Sequence, residues 1–171
     1  MLYTFMPLKS FIQKYQTLHP KPESIESFVQ HLTTYFSRLA DSRHSRTSAE
    51  EFEKNILRDL LQNTFAYNTN TRDRIDLAIY EDNAPKVIFE CKSLTNKNEF
   101  INGGGVNRHY SQDSQEKSLE SKAFYESILY YLRESLTHKN NNITHIILTN
   151  TRDFIVLMRK NIANLPIINA L

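Results

Sequence analysis

The chain has 171 residues, a formal net charge of +2, 40% hydrophobic and 23% charged residues, one cysteine and no tryptophan. That length supports one domain with a substantial core, and a lone Cys91 excludes a disulfide framework or a zinc ribbon and fits a reducing cytoplasm. No apolar run reaches membrane-spanning length, the N-terminus lacks the basic-then-apolar profile of a signal peptide, and so small a positive charge carries no strong nucleic-acid affinity of its own.

Leu8 to Leu18 is a short apolar-periodic segment closed by His19-Pro20-Lys21-Pro22, prolines that end a helix and open a connector. Ser24 to Leu39 carries Ile25, Phe28, Val29, Leu32, Phe36 and Leu39 at helical spacing, with Glu23 and Glu26 near its start. The polar loop that follows holds Arg43, His44 and Arg46, which are either phosphate contacts or solvated loop residues. Ser48 with Glu51 three residues on has the form of a capping box for a second helix, Ala49 to about Phe65. Its buried stripe is Phe52, Ile56, Leu57, Leu60 and Leu61, with Glu50 at the edge of the stripe and Glu53 within it.

Arg74 to Lys92 reads as two strands joined by a turn. Ile75, Leu77 and Ile79 alternate with Asp76, Ala78 and Tyr80; Val87-Ile88-Phe89 then runs into Glu90-Cys91-Lys92, and Glu81-Asp82-Asn83-Ala84-Pro85-Lys86 supplies the turn chemistry between them. Residues two apart on a strand share a face, so Glu90 and Lys92 project together with Cys91 opposite, and strand pairing can bring Asp76 beside them.

Leu94 to Lys117 is unpatterned and contains every glycine of the chain, Gly103-Gly104-Gly105. Val106-Asn107 follows them where a phosphate loop needs Lys-Ser or Lys-Thr, which excludes that motif; Arg108, His109 and Tyr110 are candidate DNA contacts or plain loop residues. Leu119 to Leu136 is a third helix, buried through Phe124, Ile128, Tyr131 and Leu132, with Lys122, Glu126 and Tyr130 on another face. Ile143 to Thr149 and Phe154 to Met158 read as two further strands, and the apolar tail Asn161 to Leu171 fits no element. The order helix, helix, strand, strand, helix, strand, strand predicts one domain over 1–171, a helical part over 1–47 and a core over about 48–158. The fold class is α/β (α+β), a mixed central sheet flanked by helices.

Asp76, Glu90 and Lys92 at one point of a sheet resemble the metal site of the PD-(D/E)xK nuclease superfamily. The acid-x-lysine triplet is a short signal, and Glu120-Ser121-Lys122 repeats it within a helical stretch; strand context sets Glu90-Cys91-Lys92 apart, against the alternative of a hairpin with solvated polar residues. Ile75 stands where the superfamily usually has proline. The physics supports the likeness. Two carboxylates held about 4 Å apart repel by roughly 4 kcal/mol at an effective dielectric near 20, so they favour a shared hard cation. Carboxylates with waters suit Mg2+, with Mn2+ as a substitute. Such an ion acidifies bound water, and the lysine positions that water or neutralises the developing charge.

The superfamily often adds a glutamate from the first core helix, which implies Glu50 or, second, Glu53 as a further metal ligand; a helix cap or surface charge is the alternative for each. Glu126-xxx-Tyr130 looks like a variant of the Gln-xxx-Tyr helix that supports the lysine in some members, or else an ion pair beside a packed tyrosine. Over about residues 48–158 the ordered segments EEFEKNILRDLL, TNTRDRIDLAI, VIFECKS, KAFYESILYYLRE and HIILTNTRDFIV resemble the N-terminal nuclease domain of type IIG restriction-modification enzymes. That likeness implies a restriction-endonuclease-like core, Asp76, Glu90 and Lys92 as cleavage residues, double-stranded DNA as substrate and a cytoplasmic location without a membrane. It also implies a methyltransferase and target-recognition domain or chain as partner, since neither an Asn-Pro-Pro-Tyr-like motif nor a glycine-rich S-adenosylmethionine motif occurs here. Cutting both strands takes two active sites, as in a transient homodimer, or one site acting twice. The alternative is a degenerate member that binds or assembles without catalysis. Six histidines without metal-ligand spacing argue against a zinc or HNH-type nuclease.

Overall fold

The hairpin predicted between Arg74 and Lys92 is the centre of the structure. A computed structural model describes residues 2–3, 8–15, 19–42, 49–72, 74–100, 117–118 and 121–163. In chain order these form β1 (Leu2–Tyr3), α1 (Leu8–Tyr15), α2 (Pro22–Ser42), α3 (Ala49–Phe65), β2 (Thr69–Arg72), β3 (Ile75–Glu81) and β4 (Ala84–Cys91). There follow α4 (Lys97–Phe100), β5 (Lys117–Ser118), α5 (Lys122–Leu132) with a π-helical turn over Arg133–Thr137, β6 (His145–Thr149), β7 (Phe154–Met158) and α6 (Arg159–Ala163).

The turn between β3 and β4 is shorter than its composition suggested. Asp82 and Asn83 both take positive φ, 50° and 62°, the pattern of a two-residue type I′ turn, for which Asp and Asn are among the least strained non-glycine residues. Ala84 and Pro85 therefore already belong to β4, and Pro85 sits where the pairing shifts register between Ile79 and Tyr80.

Five strands make one mixed sheet in the order β2-β3-β4-β6-β7. The pairs β2–β3, β3–β4 and β6–β7 are antiparallel, and β4–β6 is parallel, from Val87 opposite His145 to Cys91 opposite Thr149. Parallel neighbours need a crossover, and α5 lies in it. Its Phe124, Ile128 and Tyr131 bury against Ala78, Ile88, Ile146 and Leu148. On the opposite face Tyr35, Leu39, Ile56, Leu57 and Leu61 of α2 and α3 bury against Leu77, Phe89 and Cys91. Each such side chain contributes roughly 1.5–3 kcal/mol on leaving water. This is an α+β fold, a mixed sheet between helices. No helix among the described residues is long and apolar enough to cross a membrane.

Several expectations change. Pro22 starts α2 instead of lying in a connector, because proline at the first helical position has no amide to waste and a preset φ. In α2 only Leu39 of the expected stripe is fully buried; Ile25, Phe28, Val29 and Phe36 are exposed, since packing onto α3 runs through Leu32, Tyr35 and Leu39. Phe52, expected inside α3, is 39% exposed. β2 was not anticipated, and α4 occupies part of the segment read as unpatterned. α5 begins at Lys122, with Ser121 accepting the Phe124 N–H at 3.2 Å, so Ser121 of the second acid-x-lysine triplet is the helix cap. The expected strand from Ile143 is shorter, starting at His145. Arg43, His44, Arg46, Ser48, Gly103-Gly104-Gly105, Arg108, His109, Tyr110 and residues 164–171 lie outside the described residues.

Candidate active site

β4 places its side chains by simple alternation: Phe89 and Cys91 go to the α2–α3 side, Ile88 and Glu90 to the α5 side. Lys92 follows directly after the strand, its N–H bonded to the Thr149 carbonyl of β6 at 2.8 Å. On β3, Asp76 stands one residue beyond the Leu77–Phe89 pair, next to the end of β4. Its Oδ2 accepts the Cys91 N–H at 3.0 Å, which ties the two strands together at the site. Asp76 and Glu90 thus lie close enough for the charge of one to act on the other, and Glu90 in turn holds Lys92.

Glu90 is 1% exposed. Its Oε1 accepts the Lys92 ammonium at 2.6 Å, and its Oε2 is buried without a protein donor. Burial first, and the negative charge of Asp76 second, push the Glu90 carboxyl up to about 8 against the pull of Lys92. The shift favours the protonated form of Glu90. The Lys92 ammonium also reaches Glu126 Oε2 of α5 at 2.8 Å, and these hydrogen bonds hold it charged although burial opposes that. Burial would raise Glu126 as well, but the hydrogen bond and charge of Lys92 outweigh it and keep Glu126 ionised. Tyr130, one turn further along α5, is raised by partial burial and by the charges of Glu90, Glu126 and Asp76. Glu126-xxx-Tyr130 thus faces the site as one unit. The ion pair of Glu126 is made with Lys92, while Lys122 on the same face bonds Glu99 at 3.0 Å and is exposed.

α3 supplies a residue that sequence reasoning missed. Lys54 Nζ lies 3.8 Å from Asp76 Oδ1 and 2.5 Å from Glu51 Oε2. Burial would lower its pKa, but Glu51 and Asp76 more than compensate and it stays cationic. The Glu51–Lys54 spacing of three residues on α3 was the available signal. Glu53, 3% exposed, spends Oε2 on the Leu94 N–H at 3.2 Å and so pins the chain just after Lys92; burial raises its pKa. Glu50 is half-buried and near enough to act electrostatically on Glu53 and Cys91. Asp76, Glu90 and Glu50 are not gathered into one cluster: among the described residues, no three His, Cys, Asp or Glu side chains come close enough together to hold a metal ion. From α3 it is Lys54 that faces Asp76, and Glu90 is turned onto Lys92.

The donor set still suits a hard cation in one respect. Magnesium is commonly held by one or two carboxylates and several waters, and the donorless oxygen of Glu90 beside Asp76 is the atom a cation would satisfy.

Comparison with known proteins adds one finding. The chain belongs to the family described as "Domain of unknown function (DUF7149)", which it matches over residues 5–169. No curated protein and no solved structure matches it. The family match spans both helical layers and the sheet, so the site described above lies wholly within the family's domain.

Proposed function

We propose that this chain is a metal-dependent endodeoxyribonuclease module of the PD-(D/E)xK kind, similar to the cleavage domain of type IIG restriction-modification enzymes. The observation that carries the reading is the meeting of Asp76, Glu90 and Lys92 at the end of paired strands, with Glu126 from α5 closing on Lys92. Asp76 and Glu90 would hold Mg2+ or Mn2+, with Glu50 as the further carboxylate on α3. When bound, the ion would acidify a water and offset phosphate charge.

The remaining steps belong to the chain's own side chains. Glu90 must give up its proton before it can act as a ligand, so ion binding releases a proton. Lys54 balances Asp76 while no cation does. Lys92 is a donor only and cannot bind the ion; its ammonium is held by Glu90 and Glu126 for the attacking water or the phosphate oxygen. Tyr130 borders the same space and is a candidate substrate contact. The near-neutral charge of the chain fits a module that takes its DNA affinity and specificity from a methyltransferase and target-recognition domain or chain, in the cytoplasm.

A second reading has an observation of its own. With no three-ligand cluster among the described residues and Glu90 turned onto Lys92 with its carboxyl raised by burial, the chain serves as a degenerate binding or assembly module. Manganese calorimetry above pH 8, paired with a duplex-DNA cleavage assay in the presence of the partner, separates the two. Metal binding and cleavage that both vanish in Asp76→Ala support the nuclease; an absence of metal heat in the parent chain refutes it.

A further inference from the structure

The two edges of the sheet are built differently. β2 is the polar run Thr-Asn-Thr-Arg, and its pairing with β3 breaks register between Asn70 and Arg72, a device that spoils an edge for further pairing. β7 has no such device. It pairs with β6 in unbroken register from Met158–His145 to Phe154–Thr149 and carries no charge. Leu157 points into the α5 core, so Phe154, Val156 and Met158 lie on the opposite face, where they are 47%, 56% and 43% exposed. Among the described residues β6 is the sole strand beside β7.

The hydrogen bonds at the two ends of this pair fix which backbone groups point outward. The Asn150 N–H donates to the Asp153 carbonyl at 3.3 Å, and the Arg159 N–H donates to the Thr144 carbonyl at 2.9 Å. Bonded pairs in an antiparallel ladder recur every second residue. Asp153, Ile155 and Leu157 therefore turn their backbone groups to β6, as the Arg159 N–H does where α6 begins, and Phe154, Val156 and Met158 turn theirs to the open edge.

We propose that this edge pairs with the same edge of a second copy of the chain, antiparallel and centred on Val156. In that register Val156 meets Val156 and Phe154 meets Met158 on both sides of the two-fold axis, so the outward N–H and C=O groups of all three residues find partners. The next position out brings Asp153 of one copy opposite Arg159, the first residue of α6, of the other, twice per dimer. Sliding the strands by two residues either way separates these charges. Both residues are exposed and keep spare capacity: Asp153 Oδ2 accepts the Asn150 side-chain amide at 3.0 Å, and the Arg159 guanidinium donates to the Asn141 carbonyl. The edge is complementary to itself in hydrogen bonding, in apolar face and in charge, which selects a second copy over an unrelated partner. Edge-to-edge pairing buries little area, so the dimer is weak and reversible. The proposal does not depend on the nuclease reading.

The test is sedimentation of the full chain over a concentration series. The expected result is a reversible monomer–dimer equilibrium. Val156→Lys, which opposes two ammonium groups on the axis, and Asp153→Arg or Arg159→Asp alone should each weaken the dimer by about tenfold. The charge-swapped double variant Asp153→Arg with Arg159→Asp should recover it. A chain monomeric at every concentration, a dimer indifferent to Val156→Lys, or a double variant as weak as the singles overturns the proposal. So does protection of the Val156 amide from hydrogen exchange in the dilute monomer, because the chain's own residues would then cover the edge.

Discussion

Glu90→Gln separates a buried protonated carboxyl from an ordinary ion pair. In the folded chain Glu90 ionises at about 8, whereas in the unfolded chain it reverts to its ordinary 4.5. Between those values the folded state carries one proton more than the unfolded state. Stability therefore falls as pH rises through this window, by about 1.4 kcal/mol per unit, and the full contribution is present only below about 4.5. From pH 5.5 to 7.5 the single group accounts for about 3 kcal/mol. Glutamine keeps the shape and the acceptor for Lys92 but cannot titrate, so the variant should lose this slope. The raised carboxyl of Glu53 adds a slope of the same sign in both proteins and cancels in the comparison.

The assay is urea denaturation of parent and Glu90→Gln at half-unit steps of pH, with chelator present. The difference between the two curves should grow steadily in favour of the variant as pH rises. Parallel curves refute the protonated Glu90. A difference that grows in the opposite direction means that Lys92 holds Glu90 ionised and that the site is a plain buried salt bridge.

Asp76→Ala should remove the acceptor of the Cys91 N–H and cost about 1–3 kcal/mol, read by denaturation, while abolishing manganese binding and cleavage together. Lys92→Met strips a cation from the site, so calorimetry should find manganese affinity unchanged or higher while cleavage collapses; a variant that cuts like the parent refutes the assigned role. Lys54→Met should raise metal affinity by up to about tenfold, since the ion no longer competes with an ammonium for Asp76; unchanged affinity would remove Lys54 from the site. Alone, the chain should cut DNA weakly and without sequence preference, because no helix-turn-helix, zinc finger or basic helix is readable in it; a ladder of defined fragments from the purified chain contradicts this.

The hairpin and the meeting of its polar residues were legible because a strand has a period of two and leaves little freedom once two strands pair. Asp76, Glu90 and Lys92 follow from that period and from register. The contribution of α3 was not legible in the same way. A helical wheel ranks Glu50 and Glu53 by their distance from the apolar stripe, but it does not say which side chain bends toward the sheet end. Glu53 was drawn instead to the amide of Leu94, and the longer Lys54 reached Asp76. β2 escaped notice for a related reason: Thr69–Arg72 has no apolar period, and the strand exists because it completes the ladder of β3. The apolar residues of α2 misled in the other direction. Ile25, Phe28, Val29 and Phe36 have helical spacing, and spacing alone does not reveal that burial against α3 is concentrated at Leu32, Tyr35 and Leu39, with Phe28 meeting Phe65 only at the exposed end.

α5 shows why the site and the core stand or fall together. Phe124, Ile128 and Tyr131 fix the rotation of this helix on the sheet, and that rotation is what turns Glu126 and Tyr130 toward Lys92. Lys92 in turn is fixed by its backbone bond to β6 and by ammonium contacts to Glu90 and Glu126, so three separate elements hold one charge. A lysine between one buried and one part-exposed acid is costly to desolvate and contributes little net stability, whereas packing of the apolar stripe contributes several kcal/mol. The arrangement is thus maintained by the core for the sake of the charges, and not the reverse. Shaving the core at Ile128→Ala should cost about 2–5 kcal/mol and loosen the grip of Glu126 on Lys92, while Glu126→Gln should leave stability nearly unchanged and disturb only the lysine. If Glu126→Gln were as destabilising as Ile128→Ala, the carboxylate would be a structural member of the fold and the functional reading of this helix face would fail.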